Sequence, residues 1–382
     1  MRHIYLDNAS TTPVDPRVRD AMIPLLTENF GNPSSVHYFG RRAKVLLEDT
    51  RDKIAEFLGV KSSEIFFTSG GTESNNHAIK GIALSQLGRK NHIISSPVEH
   101  SSVIDTLNYL KDKFSFNITW LSVNKYGEID LNELEDKITE QTFLVCIMYS
   151  NNELGTINDI NSVAGIISDK GIYLHTDMVQ SLGKCRFRLN DIGCSTASFS
   201  AHKIYGPKGA GLLYIRKNTQ IEKYLHGGKQ ERNLRGGTEN LPAIAGFGKA
   251  VEILKDEMVS DIELYTKLNH KIRKLLTSSF GDDIIINSPD GNALHNILNI
   301  SINPAKIKID ADALLIKLDT AGIAVSSGSA CASGSIQPSH VLKAIGYDDD
   351  LARSSLRISF GRFNTEEEVE VFVRELKGII YQ

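Results

Sequence analysis

One lysine stands in a setting that suits covalent chemistry. Lys203 ends the segment Ser200-Ala201-His202-Lys203, which follows the strand-like residues 196–199. A lysine at the end of a strand and among small residues can form a Schiff base with a carbonyl compound. Ser200 and His202 alternate with it and could reach a phosphate group. A lone lysine on a loop is more often a solvated side chain, so this interpretation needs support from other residues.

A glycine-rich turn offers a place for a phosphate. Ser69-Gly70-Gly71-Thr72-Glu73 follows the strand-like residues 65–67 and precedes a helical stretch at residues 75–80. Glycines let the backbone approach a ligand closely, and a helix N-terminus presents free N–H groups and a positive dipole end. Gly71 and Thr72 are therefore candidate phosphate ligands. The pattern fits a simple turn in which Thr72 caps the helix equally well.

Further polar residues follow other predicted strands. Asp177 comes after residues 172–176, with Gln180 three residues later, and ligands of open α/β sheets bind at such strand ends. A carboxylate beside a pyridine nitrogen would keep the ring protonated and electron-withdrawing. His100 could stack on a flat cofactor or transfer protons. Simpler interpretations are a helix cap for Asp177, a packed or surface histidine for His100, and a turn residue for Asn152.

Two residues near the C-terminus could act on a substrate. Cys331 lies in residues 326–335, where five serines, two glycines and two alanines surround it. Such a composition cannot build a packed core, so we expect a mobile loop that exposes a reactive thiol. Arg357, on the predicted strand at residues 355–360, has a planar fork that suits a carboxylate, although a surface salt bridge is the simpler interpretation.

The elements that position these residues alternate between short apolar runs and helical patterns. This alternation favours an α/β layer with a large, mainly parallel sheet. A long helix at residues 241–280 is predicted to bridge to a smaller α+β domain. We place the large domain at residues 15–257 and the small domain at residues 1–14 and 258–382. The predicted strands are residues 65–67, 93–94, 143–148, 172–174, 212–215, 284–286, 297–302 and 355–360, and the predicted helices include residues 40–58, 160–170, 311–321, 338–345 and 365–379.

Composition excludes several classes of protein. Over 382 residues the net charge is only −3, which predicts neither nucleic-acid binding nor a polybasic membrane surface. No apolar run is long enough to span a bilayer, and the first residues lack the features of a signal peptide, so we expect a cytoplasmic protein. The other three cysteines, Cys146, Cys185 and Cys194, are scattered without metal-ligand spacing and are interpreted as packing residues.

The order and spacing of these signals match one family. The chain resembles the cysteine desulfurases of the NifS/IscS type, class-V aminotransferases with the aspartate-aminotransferase-like fold (fold type I) of pyridoxal 5'-phosphate (PLP) enzymes. The motifs that match, nearly end to end, are residues 5–12, 31–37, 68–75, 198–209, 235–238, 326–335 and 353–357. The sequence Ser-Gly-Ser-Ala-Cys at Cys331 is typical of the long-loop branch of this family.

The resemblance implies a role for each candidate. Lys203 would hold PLP covalently, and Asp177 would pair with the pyridine nitrogen. Gln180 and Asn152 would lie beside the ring hydroxyl, and Asn152 near the substrate. His100 would stack on the ring and move protons. The phosphate would be held by Gly71, Thr72, Ser200 and His202, and by Thr238 of the other subunit of a homodimer.

The resemblance also implies the reaction and its partners. Arg357 would bind the carboxylate of L-cysteine, and the Cys331 thiolate would attack the substrate sulfur, leaving a persulfide and releasing alanine. An iron–sulfur scaffold or another acceptor protein would take the sulfur, and Cys331 could transiently ligate a cluster. Some relatives dock the scaffold through a longer C-terminal tail than the one ending at Gln382, so docking through such a tail is not expected here.

Two other classes of function stay open on the sequence alone. One is another fold-type-I reaction, such as selenocysteine lysis or transamination, although a transaminase has no need for the Cys331 thiol. The other is a non-catalytic dimer that serves as a sulfur-relay or assembly platform. The presence of Lys203, Asp177 and Cys331 together disfavours the platform.

Overall fold

Strands and helices alternate along most of the chain, as the sequence predicts. The computed structural model describes residues 3–308, 310–327 and 337–381. Its strands are β1 (Ile4–Tyr5), β2 (Ile65–Thr68), β3 (His92–Ser95), β4 (Asn117–Trp120), β5 (Thr142–Cys146), β6 (Tyr173–Asp177), β7 (Thr196–Ser200), β8 (Gly211–Ile215), β9 (Ile284–Ile286), β10 (Ile297–Ile302), β11 (Ile323–Ala324) and β12 (Ser355–Ser359).

The helices lie between and after these strands along the sequence. They are α1 (Pro16–Met22), α2 (Pro24–Thr27), α3 (Tyr38–Leu58), α4 (Gly71–Ser85), α5 (Ser101–Phe114), α6 (Leu131–Lys137), α7 (Ile160–Ile167), α8 (Leu189–Ile192), α9 (Leu241–Phe280), α10 (Ala311–Thr320), α11 (His340–Ala344), α12 (Asp349–Arg353) and α13 (Glu366–Ile380). Short 3₁₀ helices occupy Ser62–Glu64, Ala201–Lys203, Glu231–Asn233 and Gly281–Asp283.

A seven-stranded sheet forms the centre of the large domain. Its strand order is β2-β8-β7-β6-β5-β3-β4. The five strands from β7 to β4 run parallel, and β8 runs antiparallel to both of its neighbours. Every residue of β2, β3, β5, β7 and β8 is buried, as expected for strands covered by helices on both faces. The predicted mainly parallel sheet is therefore confirmed.

A smaller α+β unit follows the long helix. Strands β9, β10 and β12 form an antiparallel sheet, and β1 pairs with β11. The first half of α9 packs into the core of the large sheet through Ile244 and Val251. Its second half packs through Leu268 and Ile272 into a separate core with β10 and α13. Two cores on one helix support a division within α9, although the boundary at residues 257 and 258 stays a prediction.

Several element boundaries differ from the sequence prediction. Helix α4 begins at Gly71 with Gly70 as its N-cap, so the interpretation of Thr72 as a helix cap is wrong. Strand β6 extends to Asp177, which is its last residue. Helix α11 ends at Ala344, because Gly346 soon after adopts a positive φ of 98°.

The sequence prediction for the three other cysteines is confirmed. Cys146 and Cys194 are fully buried and Cys185 is partly buried, which confirms them as packing residues. Among the helices of the described ranges, none is long and apolar enough to cross a membrane.

Candidate active site

A cavity of about 480 Å³ opens where the parallel strands end. Strands β3, β5, β6 and β7 all direct their carboxyl ends toward it, which is the position where open α/β sheets bind ligands. The opposite wall comes from the N-terminal segment, β12 and the start of α11. The lining residues that the sequence singled out are Gly71, Thr72, His100, Asn152, Asp177, Gln180, Ser200, His202, Lys203 and Arg357.

Lys203 places its amine inside this cavity. It ends the 3₁₀ turn that follows β7, and Nζ donates hydrogen bonds to the carbonyl oxygens of Ala9 (2.5 Å) and Ser10 (2.7 Å). Burial, together with the charge of Arg357, lowers the pKa of Lys203 to about 8 against the opposing influence of Asp7 and Asp177. The amine therefore loses its proton more readily than an ordinary lysine does, and the neutral amine is the form that attacks a carbonyl carbon.

The carboxylate of Asp177 is held by two donors. Oδ2 accepts from Nδ2 of Asn75 at 2.7 Å, and Oδ1 accepts from the amide of Val179 at 2.9 Å. Oδ1 of Asn75 lies 3.0 Å from Nε2 of His175, whose pKa burial lowers to about 4. The histidine is thus neutral, so Nε2 donates to Asn75 and fixes the amide that orients Asp177.

The glycine-rich turn forms a cradle for an anion. A side chain at Gly71 would place its Cβ 2.6 Å from Cγ2 of Val179, and one at Gly211 would overlap the backbone of Gly70. The absence of these side chains lets β8 and the turn lie close together at the N-terminus of α4. Free N–H groups of a fifteen-residue helix therefore face the cavity beside Thr72, Ser200 and His202, and this arrangement suits a phosphate.

Arg357 is a buried cation on the opposite wall. Nη1 donates to the carbonyl oxygen of Asn152 at 3.0 Å, while Nη2 donates to Oδ1 of Asp7 (3.1 Å) and Oγ of Ser10 (2.6 Å). The residue is only 6% exposed, so its interpretation as a surface salt bridge is wrong. Its Nε is buried without a hydrogen-bond partner within the described ranges, and the residue lines the cavity, where its guanidinium can meet a substrate carboxylate.

The imidazole of His100 is fixed in one tautomer. As N-cap of α5, its Nδ1 accepts a hydrogen bond from the amide of Ser102 at 3.1 Å. The neutral ring therefore bears its proton on Nε2. Burial lowers the pKa of His100, and the nearby charge of Asp177 acts in the opposite direction. A neutral imidazole at the cavity wall can donate a hydrogen bond from Nε2 or stack on a planar ring.

Comparison with known proteins identifies the family. The model of the class-V aminotransferase family matches residues 4–372. The cysteine desulfurase IscS of Dictyoglomus turgidum is 44% identical over 99% of this chain and 95% of its own length. The IscS of Methanosarcina thermophila is 42% identical, with coverage of 99% and 92%. The chain belongs to the class-V aminotransferases, in the branch of the cysteine desulfurases.

The solved structures agree. A NifS-like protein superimposes with a TM-score of 0.92 at 40% identity, and the match covers 100% of both chains. The NifS-like protein of Rickettsia africae gives a TM-score of 0.88 at 36% identity, again over 100% of both chains. These likenesses confirm the predicted fold type I of PLP enzymes.

The residues of this class-V aminotransferase fit PLP, its family's cofactor. A buried amine of lowered pKa, a carboxylate fixed by two hydrogen bonds and a helix N-terminus with close-packed glycines surround one cavity. These are the groups that an aldehyde, a pyridine nitrogen and a phosphate respectively require. Gln180 lines the same cavity, and its Nε2 donates to the carbonyl oxygen of Ala9 at 2.9 Å.

Sequence reasoning missed two acidic residues at this site. Glu99 accepts from the amide of Met148 (2.8 Å) and from Oγ of Ser96 (2.9 Å), and burial raises its pKa to about 8. Glu153 lines the cavity and accepts from Oγ of Ser339, and burial raises its pKa to about 7. The signal was available, because Glu99 adjoins His100 and Glu153 adjoins Asn152, in the segments that follow the buried strands β3 and β5.

Of the predicted site residues, Thr238 does not line this cavity and Cys331 is not described. Thr238 is exposed on the surface and does not contribute to the lining. Cys331, with the predicted mobile loop around it, lies outside the described residues. The chain on either side is described up to Ser327 and from Gln337, and Ser326, Ser327 and His340 line the cavity.

Proposed function

We propose that this enzyme converts L-cysteine to L-alanine and retains the sulfur as a persulfide on Cys331. One observation supports this most strongly. A single cavity combines the Lys203 amine, the Asp177 carboxylate and the Arg357 guanidinium, which are the partners that PLP and an amino-acid substrate need. Relatives at 44% and 42% identity are named cysteine desulfurases, and Cys331 supplies the thiol that the named reaction requires.

The protein's own residues would divide the work. When PLP is bound at Lys203, it supplies an electron-withdrawing ring next to the substrate Cα, and Asp177 keeps that ring protonated. Arg357 orients the substrate through its carboxylate. In its neutral form the Lys203 amine would accept the Cα proton. His100 would return a proton to the substrate carbon when its ring carries a second proton as the imidazolium.

The sulfur transfer balances without an outside oxidant. The Cys331 thiolate attacks the substrate sulfur, a new S–S bond forms, and the bond between that sulfur and the substrate Cβ breaks. The electron pair of the broken bond goes to the substrate, which takes up a proton and leaves as alanine. Cysteine plus the enzyme thiol therefore gives alanine plus the enzyme persulfide.

A homodimer with shared active sites is part of the proposal. Residues of α1 to α3 and their connections expose a cluster of large apolar side chains that a second copy would cover, namely Ile23, Leu26, Phe30, Val36, Tyr38, Phe39 and Val45. Thr238 is exposed, and nearby Arg235 pairs with Glu73 at 2.9 Å beside the glycine-rich turn. Thr238 would complete the phosphate site of the partner. Mixing inactive Lys203→Ala and Thr238→Val chains should then restore activity, whereas a fully active monomer would contradict the dimer.

The finer assignments follow the same reasoning. We propose that the persulfide passes to an iron–sulfur scaffold or another acceptor protein in the cytoplasm, and that Cys331 can transiently ligate a cluster there. Thr72, Ser200 and His202 would hold the cofactor phosphate, and Asn152 and Gln180 would adjoin the ring hydroxyl. Residues 15–257 would form the cofactor domain and the rest of the chain the small domain.

The decisive test of function is the product balance. Holoenzyme given L-cysteine, without any keto acid, should form alanine in amounts equal to the sulfur that can be released from the protein by a reductant. A transaminase would form alanine only with an added keto acid, and a non-catalytic platform would form none. Borohydride should fix the cofactor on Lys203, and a label on Lys184 or Lys208 would overturn that assignment.

A further inference from the structure

Both flanks of the segment that contains Cys331 are fastened to the same part of the cavity wall. On the N-terminal side, Ser326 and Arg357 exchange two backbone hydrogen bonds, of 3.2 and 2.7 Å. On the C-terminal side, Oγ of Ser339 donates to Oε2 of Glu153 at 2.5 Å. Arg357 in turn donates to the carbonyl oxygen of Asn152, the residue before Glu153. One turn, Asn152-Glu153, therefore supports both flanks.

The hydroxyl of Ser339 is fully committed in this contact. As N-cap of α11, its oxygen accepts from the amides of Val341 (3.1 Å) and Leu342 (3.3 Å). Its single proton therefore points to Glu153. Helix α11 has five residues and is too short to be stable by itself, so contacts of this kind decide where it lies. His340 adds a second tie, since its Nε2 lies 2.9 Å from the carbonyl oxygen of Glu99.

Glu153 is a costly residue to bury for packing alone. It is 3% exposed, and burial raises its pKa to about 7 against the opposing influences of Ser339 and Arg357. A buried carboxyl without a close cationic partner lowers stability unless hydrogen bonds compensate. Its amide is also held, because Oδ1 of Asn151 accepts from the amide of Glu153 at 2.8 Å. The acid is thus locked in place to receive Ser339.

We propose that Glu153 is a positioning residue for the sulfur-transfer step, which holds the Ser339 flank against the turn that also holds Arg357. The inference rests on the proposed function. Arg357 would fix the substrate through its carboxylate, so substrate and nucleophile would share one support. Cys331 lies eight residues from Ser339, a span of at most roughly 29 Å for extended chain, so the position of this flank limits how far from it the thiol can lie.

The test separates binding from sulfur transfer in the holoenzyme. The cysteine-induced absorbance change of the bound cofactor measures binding, and rapid-quench analysis of alanine in the first turnover measures transfer. In Glu153→Ala and Ser339→Ala, the cysteine concentration that gives half of the absorbance change should stay within about threefold of the wild-type value. The rate of alanine formation in the first turnover should fall about tenfold or more. Glu153→Gln should stay within about threefold of the wild type, because its amide oxygen can still accept from Ser339.

Two controls test whether loss of a helix cap alone would slow the enzyme. Asp348→Ala deletes the N-cap of the neighbouring helix α12, where Oδ1 accepts from the amide of Leu351 at 2.8 Å, and should leave both steps unchanged. In the double variant, Ser339→Ala should add no further loss to Glu153→Ala, because both changes break one contact. If Glu153→Ala fails to fold, Ser339→Ala and Glu153→Gln still decide the question.

Each contrary outcome has a distinct meaning. First-turnover alanine at the wild-type rate in Ser339→Ala would overturn the proposal. A Glu153→Gln variant as slow as Glu153→Ala would overturn it too. So would variants that lose cofactor and cysteine binding to the same extent as they lose alanine formation. Absence of alanine from the wild-type protein in the same experiment would instead reject the proposed function itself.

Discussion

The two walls of the cavity are built in different ways. On the sheet wall, His100, Asp177 and Lys203 each lie within five residues of the end of a parallel strand. On the opposite wall, Arg357 reaches Asp7 across 350 positions of the sequence, and Ser339 reaches Glu153 across 186. The residues of the sheet wall are placed by the strands that they follow, whereas the other wall depends on how distant segments pack.

Because the two walls are built differently, a substitution on one wall should impair the function of that wall and leave the other intact. The sheet wall presents groups to the cofactor from a core of fully buried strands, so its geometry survives small changes elsewhere. The opposite wall presents groups to the substrate through few polar contacts between the N-terminal segment, β12 and α11. Substitutions there should impair substrate handling while the cofactor stays bound.

The largest effect is expected on the sheet wall. Asp177→Asn should keep the cofactor on Lys203 but remove the charge that holds the pyridine nitrogen protonated. Loss of one partner from a buried ion pair costs about 3–5 kcal/mol, so kcat should fall by a factor on the order of a hundred to several thousand. Steady-state alanine formation measures this, with the absorbance of the bound cofactor as the control. A kcat near that of the wild type would show that Asp177 does not act on the ring.

A smaller effect is expected on the opposite wall. Arg357→Lys keeps the charge but loses the planar fork, so KM for L-cysteine should rise about tenfold to a hundredfold. Cofactor retention after extensive dialysis should match that of the wild type. Loss of the cofactor together with substrate binding would mean that the two walls do not act independently.

The smallest effect concerns stability rather than catalysis. Burial raises the pKa of Glu99 to about 8 from the ordinary 4.5, so its neutral form is the stable one in the folded protein. The stability that depends on this neutral form is fully present below about pH 4.5 and is lost as the pH rises through 8. The Gln side chain does not titrate and can still accept from Met148 and Ser96.

The Tm difference between Glu99→Gln and the wild type should therefore grow in favour of the variant between pH 5 and pH 8, by about 2 °C or more. Thermal unfolding of both holoenzymes at matched ionic strength gives this difference. A difference that stays constant with pH would show that Glu99 is ionised in the folded protein across this range.

The same contrast explains what the sequence could predict. Lys203, Asp177 and the glycine-rich turn follow apolar runs directly, so local pattern and spacing were enough to place them on the sheet edge. Asn75 and His175 were not predicted, because their role depends on contacts between α4 and β6 rather than on neighbours in the sequence. Local sequence predicted Arg357 as a carboxylate ligand but could not predict its burial.

The contacts that hold α11 in place could not be predicted from the sequence. Nothing in the segment Pro338-Ser339-His340 indicates that its partners are Glu153 and the carbonyl oxygen of Glu99, because small-domain packing brings them together. The helix itself was predicted too long, since the φ of Gly346 ends it. Element types were thus predictable from periodicity, and contacts between distant elements were not.

The most direct test of the central claim follows the sulfur atom. Holoenzyme should receive one equivalent of L-cysteine with labelled sulfur, followed by alkylation and proteolysis without reductant. The account predicts the label on the peptide that contains Cys331, and it predicts that Cys331→Ser still shows the cysteine-induced absorbance change but forms essentially no alanine. Label on Cys146, Cys185 or Cys194, or alanine from Cys331→Ser at the wild-type rate, would contradict it.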